Sequence, residues 1–257
     1  MKKIIHIRQS PNWERENEAS FLNQKFMRDA EYWNKKIQIL YPLIKWWNQS
    51  ATISYFQFRQ KIKNICLENI QKTSADLVFF EEIPIEIDDK QELFLLCMDD
   101  DDWVVSNIFD ILQNEMDKKH DIFVWNDRFI NCHGRHICRS NNDIYTNNFA
   151  LSCQGIKKLR LNHPNIKNPE FNPCYWISEQ VKKLKFSVKK INKEMSATNK
   201  TLASATSLEV ITSKKQLLKE ISLISSLYNQ NHDLWSFEYQ KMKEITNQLK
   251  LKINVIP

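Results

Sequence analysis

The stretch Leu93-Phe94-Leu95-Leu96-Cys97-Met98-Asp99-Asp100-Asp101-Asp102-Trp103 decides the reading of this chain. Its first six residues are continuously apolar, the pattern of a parallel strand covered on both faces. Four carboxylates follow at its C-terminal tip, the edge where open α/β sheets bind ligands. Adjacent carboxylates repel one another, and solvent screens that repulsion only in part. A hard divalent cation relieves it by taking one or two carboxylates, leaving other positions for water and phosphate oxygens. The first and third residues of such a turn can point to the same side, so a D-x-D spacing holds a metal with one face open to a diphosphate. A plainer account makes one Asp the cap of a helix beginning near Trp103, where acidic residues are stabilising. That explains one carboxylate and leaves the other three.

Outward from this point, strand and helix signals alternate. Upstream, residues 3–8 predict an opening strand and 13–70 predict two or three helices divided by Pro42, one of them at about 53–71. Leu77-Val78-Phe79-Phe80 reads as a strand, and Pro84 demotes 85–87 to an edge strand or a loop. Downstream, Val104, Val105, Ile108, Ile111 and Leu112 predict one face of a helix over 103–118. Residues 121–125 read as a strand and 128–150 as short antiparallel strands, with turns at His133-Gly134 and at 140–143. Residues 160–174 read as a loop, 176–193 as a Lys-rich amphipathic helix, and 213–228 and 233–249 as two final helices. The alternation in the first half argues for an α/β fold with a mostly parallel sheet flanked by helices. The expected division is a nucleotide-binding and catalytic core over 1–175 and a helical C-terminal part over 176–257.

Composition narrows the chemistry. The 257 residues are 42% hydrophobic and include eight Trp, enough for a sizeable core. There are only two glycines, Gly134 and Gly155, where average usage would give roughly 18. Neither G-x-G-x-x-G nor G-x-x-x-x-G-K-[ST] exists, which argues against a Rossmann dehydrogenase, a P-loop NTPase and a protein kinase. A bound nucleoside diphosphate would need some other neutralising group. The formal charge of +6 suits an anionic substrate or an anionic surface. Met1-Lys2-Lys3 and the short polar stretch after it do not form a signal peptide, and no apolar run approaches a membrane span. The six cysteines show no C-x-x-C pair and are expected as reduced thiols in a cytoplasmic protein.

Cys97-Met98-Asp99-Asp100-Asp101-Asp102 resembles the metal-binding motif of GT-A glycosyltransferases, and more narrowly that of a bacterial rhamnosyltransferase family. In that family an apolar strand ends in roughly Arg-x-Asp-x-Asp-Asp, and Cys97 stands where the family has Arg. Phe56-Gln57-Phe58-Arg59 looks like the family's segment preceding the motif, and Ser204-Ala205-Thr206-Ser207 looks like its small-residue loop. The resemblance implies a GT-A-like fold and transfer of a hexosyl or deoxyhexosyl group from a UDP-, GDP- or dTDP-linked sugar. The acceptor it implies is a glycan or lipid-linked saccharide of a capsule or lipopolysaccharide. Asp99 and Asp100 would contact the nucleotide, and Asp99, Asp101 and Asp102 would hold Mn²⁺ or Mg²⁺.

Other residues fill out the expectation. Arg59 and Lys63, one helical turn apart, and Arg8, ending the first strand, are candidate diphosphate contacts. An inverting transfer needs a carboxylate base, for which Glu179 is the first candidate and Asp127 and Asp143 the alternatives. Cys132-His133-Gly134-Arg135-His136-Ile137-Cys138 suggests zinc, but a turn that tight rarely brings four donors around one ion. It reads better as a hairpin bordering the acceptor. The basic helix over 181–193 predicts peripheral contact with the inner face of a membrane, and no motif for nucleic acid is present. The rival enzyme class is a metal-dependent phosphoester hydrolase or nuclease using Asp99–Asp102. Such sites usually gather carboxylates from several segments, and no distributed set is visible. The rival outside enzymes is an interaction protein whose acidic turn is only a cap.

Overall fold

Why the run at 93–98 folds as a strand is visible in its neighbours. The computed structural model describes residues 1–8, 41–79, 92–116, 119–131, 136–145, 147–163, 173–202, 213–230 and 232–249. In chain order the elements are β1 (Lys2–Arg8), α1 (Tyr55–Gln71), β2 (Leu77–Phe79), β3 (Leu93–Asp99), β4 (Trp103–Val104) and α2 (Ile108–Asn114). They continue with β5 (Ile122–Asn131), β6 (His136–Arg139), β7 (Phe149–Ser152), α3 (Cys153–Asn162), α4 (Pro173–Lys183), β8 (Val188–Lys200), α5 (Lys214–Leu227) and α6 (Ser236–Gln248). Residues 41–50 are also helical. The expected helices over 13–40, the strand at 85–87, the turn at 133–134 and the small-residue loop at 204–207 lie outside the described residues.

The fold is α/β, as the alternation predicted. One sheet runs β2-β1-β3-β7-β5-β8-β4, with β6 paired to β5. β1 lies parallel to β2 and to β3, in register from Lys2↔Leu93 to Arg8↔Asp99. β7 runs antiparallel to both β3 and β5, and β4 antiparallel to β8. The parallel pairings described are thus those of β1 with its two neighbours. The chain separates into two compact units.

The first unit comprises residues 1–9, 67–129 and 137–198 and holds the sheet. Ile4, Leu95, Val124 and Leu151 meet Ile156 and Leu159 of α3 and Ile177 of α4 in one apolar cluster. Ser152 caps α3 by accepting a hydrogen bond from the Gly155 backbone N–H. Gly155 is required there: a Cβ would stand 2.1 Å from the Asp121 carbonyl oxygen. The second unit comprises 10–66, 130–136 and 199–257. Its core centres on Trp47, whose ring meets Tyr55 and Phe58 at 5.4 Å each. The Trp47 indole N–H donates to the Ile53 carbonyl at 3.0 Å, and Tyr228 donates to Asn199 Oδ1 at 2.8 Å.

Two helix expectations are corrected. Residues 103–118 do not form one helix: Trp103 and Val104 form β4, and α2 begins only at Ile108. The apolar spacing suits either structure, and backbone pairing of Trp103↔Ala197 and Val104↔Ser196 selects the strand. The basic helix over 181–193 is also two elements. α4 ends at Lys183, and Lys185 takes a left-handed φ of 51° that no helix continues through. From Val188 the chain is β8, a strand of the sheet, so the lysines fall on separate elements. The helix α3 is an addition to the expected elements: its first seven residues fall in 151–159, to which no element was assigned, and its end falls in the stretch expected as a loop.

Candidate metal centre

β3 delivers the acidic turn. Asp99 is its last residue, and the Asp102 N–H donates to the Asp99 carbonyl at 3.2 Å, closing the turn. The far side is fixed by β4. Its pairing with β8 continues in a Val105 N–H to Met195 carbonyl bond of 2.9 Å. A third clamp comes from the end of α1. Asn69, 3% exposed, accepts from the Val104 N–H at 2.9 Å and donates to the Val104 carbonyl at 3.0 Å. One amide side chain thus does for Val104 what a neighbouring strand would do.

The four carboxylates are 5%, 5%, 2% and 0% exposed from Asp99 to Asp102, so the solvated acidic loop is excluded. The capping account fails as well. α2 starts at Ile108, its N-cap position is Asn107, and no side chain caps it. Asp99, Asp101 and Asp102 each offer an oxygen such that all three lie within 4.8 Å of one another. At an effective dielectric of about 20, each ionised pair at that spacing repels by about 3 kcal/mol. A single charged hydrogen bond contributes about 1.5–3 kcal/mol net. Each of these residues has further contacts, yet Asp101 Oδ1 and Asp102 Oδ2 are buried oxygens that accept no hydrogen bond. All-oxygen, buried and mutually repelling donors fit a hard divalent cation such as Mn²⁺ or Mg²⁺. Among the described residues this is the one acidic, His or Cys grouping of that kind.

The remaining candidates fall in different places. Arg8 ends β1 as the register partner of Asp99, so the two residues share the C-terminal edge of parallel strands. Asp100 lies in the turn. Arg59, 6% exposed, and the half-buried Lys63 lie on the part of α1 that belongs to the second unit. Glu179 is exposed on α4, and Asp143 lies in the turn after β6, where it accepts from the Tyr145 hydroxyl at 3.5 Å. Cys132 and His133 are outside the described residues, while Cys138 is an exposed free thiol.

Asp127 has a different character. It is fully buried on β5, ion-paired to Arg139, and accepts from Ser196 at 3.1 Å and Thr198 at 3.0 Å. Burial pushes its carboxyl above the ordinary range, while Arg139 and the two hydroxyls pull it back. The Arg139 guanidinium lies 3.7 Å from the Tyr145 ring centroid and 4.5 Å from that of Phe129. This is a packed, satisfied ion pair and not an accessible base, so the alternative reading of Asp127 is overturned.

Sequence reasoning missed Asn69 and the Arg139 network. Asn69 had a signal. It continues the buried stripe Phe58, Ile62 and Ile65, so a polar residue falls where helical spacing wants an apolar one. Arg139 had none, since only the sheet brings Thr198 to it.

No protein-family model matches the chain, and no curated protein matches it. Among solved structures, the chain is similar to a "putative nucleotide-diphospho-sugar transferase" from Desulfovibrio desulfuricans G20. The TM-score is 0.36 at 8% identity, over 96% of this chain and 97% of that one. A likeness of that size assigns neither an activity nor residues.

Proposed function

We propose that this chain is a metal-dependent glycosyltransferase of the GT-A type, resembling the bacterial rhamnosyltransferases. The reading rests on one observation: three buried carboxylates, Asp99, Asp101 and Asp102, converge at the C-terminal end of β3. In this reading they hold Mn²⁺ or Mg²⁺ against the diphosphate of a UDP-, GDP- or dTDP-linked sugar. Such a cation neutralises the charge that develops on the leaving diphosphate. The near absence of glycine supports it, because no glycine-rich loop is available for that task.

The chain's own residues orient the donor. Asp100 and Arg8 border the C-terminal edge of β1 and β3 and are the proposed nucleotide contacts. Arg59 and Lys63 are proposed diphosphate contacts on charge alone. Glu179 is the proposed base. Its side chain is open to solvent on α4, where an acceptor hydroxyl could reach it. The acceptor is proposed as a glycan or lipid-linked saccharide of a surface polysaccharide, handled on the cytoplasmic side.

Isothermal titration with UDP, GDP and dTDP, with and without Mn²⁺, tests this directly. One nucleotide is expected to bind only with the metal, and Asp101→Ala to abolish that binding. If no nucleotide binds, or if Asp101→Ala binds unchanged, the reading is wrong.

A further inference from the structure

The lysines expected on one basic helix belong to several elements, and the structure regroups them with new neighbours. α3 and α4 pack over the same face of the sheet through Ile156, Leu159 and Ile177. They also bind each other. His163 Nε2 lies 2.7 Å from Gln180 Oε1, and Lys158 donates to the Lys185 carbonyl at 3.0 Å. Their outward sides therefore form one surface. It carries Arg160, Lys182, Lys183 and Lys185, with Glu179 as an acidic group among them. On α3, Lys157 has contacts of its own and Lys158 is committed to Asp121 at 2.9 Å.

Two features separate this surface from an ordinary solvated face. Leu161 is 85% exposed, against at most 47% for the other exposed large apolar residues described. It sits directly after Arg160, a basic neighbour for an apolar group offered to solvent. The helix dipole explains Lys182 and Lys183 in the last turn of α4. It does not explain Leu161. The second feature is Lys185, which occupies the left-handed position that glycine ordinarily fills at a helix end. Backbone strain is accepted there and a cation is kept.

We propose that this α3–α4 surface docks on an anionic phospholipid bilayer, with Leu161 entering the interface and the basic groups facing lipid phosphates. An exposed leucine beside Arg160, on a surface that also carries Lys182, Lys183 and Lys185, offers what an interfacial contact requires: apolar insertion plus attraction to negative headgroups. The proposal is independent of the metal centre, since neither Leu161 nor these lysines belong to it.

The test is co-sedimentation of the full chain with phosphatidylcholine vesicles and with vesicles that also contain phosphatidylglycerol. Binding is expected only to the latter, with release at high salt. Leu161→Asp, and Lys182→Glu combined with Lys183→Glu, should each lower the partition coefficient by about tenfold or more. Lys185→Gly relieves the left-handed strain, so it should raise the melting temperature while weakening vesicle binding, which loss of folding cannot imitate. The proposal is overturned if phosphatidylglycerol vesicles do not bind. It is also overturned if these variants bind as the parent does, or if duplex DNA binds as tightly and Leu161→Asp changes nothing.

Discussion

Asp127 and the Asp99–Asp102 turn are comparably buried in one sheet, yet the first rests against a guanidinium and two hydroxyls while the second gathers three carboxylates within 4.8 Å. A single buried carboxylate is stabilised by one well-placed arginine. Three at this spacing need a concentrated positive charge in the same small volume, which a divalent cation provides and a long side chain supplies poorly. The first arrangement builds the fold. The second has the character of a site.

The sharpest break in this comparison is Arg139→Ala. It strands Asp127 in the sheet and is expected to destabilise the protein by about 3–5 kcal/mol in urea unfolding. The response to Mn²⁺ separates the two regions. At about one hundred times its Kd the metal should stabilise the parent by roughly 2.7 kcal/mol. Asp101→Asn should abolish that increment, and Arg139→Ala should keep it despite its lower starting stability. Equal increments in both variants would erase the distinction.

Asn69→Ala comes next. It removes both hydrogen bonds to Val104 and leaves a buried N–H and carbonyl unsatisfied, for a loss of about 2 kcal/mol. Because β4 anchors the far side of the acidic turn, Mn²⁺ affinity measured by titration should fall as well. An unchanged affinity would mean that the turn holds its shape without this clamp.

The smallest effect is in pH. Asp127 has its folded pKa raised above the ordinary 3.8, so the native state holds this proton more tightly than the unfolded chain does. The associated stability is fully present below the unfolded value and is lost as pH rises through the folded one. Within that window the slope reaches at most about 1.4 kcal/mol per pH unit. Comparing chemical unfolding of the parent and Asp127→Asn from acid to neutral pH isolates it. The variant should lack this decline, and a parent that gained stability from Asp127 with rising pH would reverse the sign.

Much of the scaffold was legible because its signals are local. The apolar run before Asp99 became β3, the helix expected at about 53–71 became α1, and the two closing helices became α5 and α6. Where two structures share a pattern, the sequence misled. Val104, Val105 and Ile108 suit a helix face, but Met195, Ser196 and Ala197 on β8 take up the Trp103–Val105 backbone instead. The amphipathic spacing over 181–193 was similarly ambiguous, and the left-handed turn at Lys185 cut it in two.

The sequence by itself determined that four carboxylates follow a buried strand and that no glycine-rich loop competes for phosphate. Those facts concern neighbouring residues and overall composition, which need no folding to read. Only the tertiary structure decided which carboxylates converge and which is neutralised. Asp101 and Asp102 are held beside Asp99 by a turn pinned from β8 and Asn69. Asp127 meets Arg139 and Thr198 because the sheet aligns β5, β6 and β8. Charges act across space at a few ångströms, and strand register across long sequence separations sets those distances.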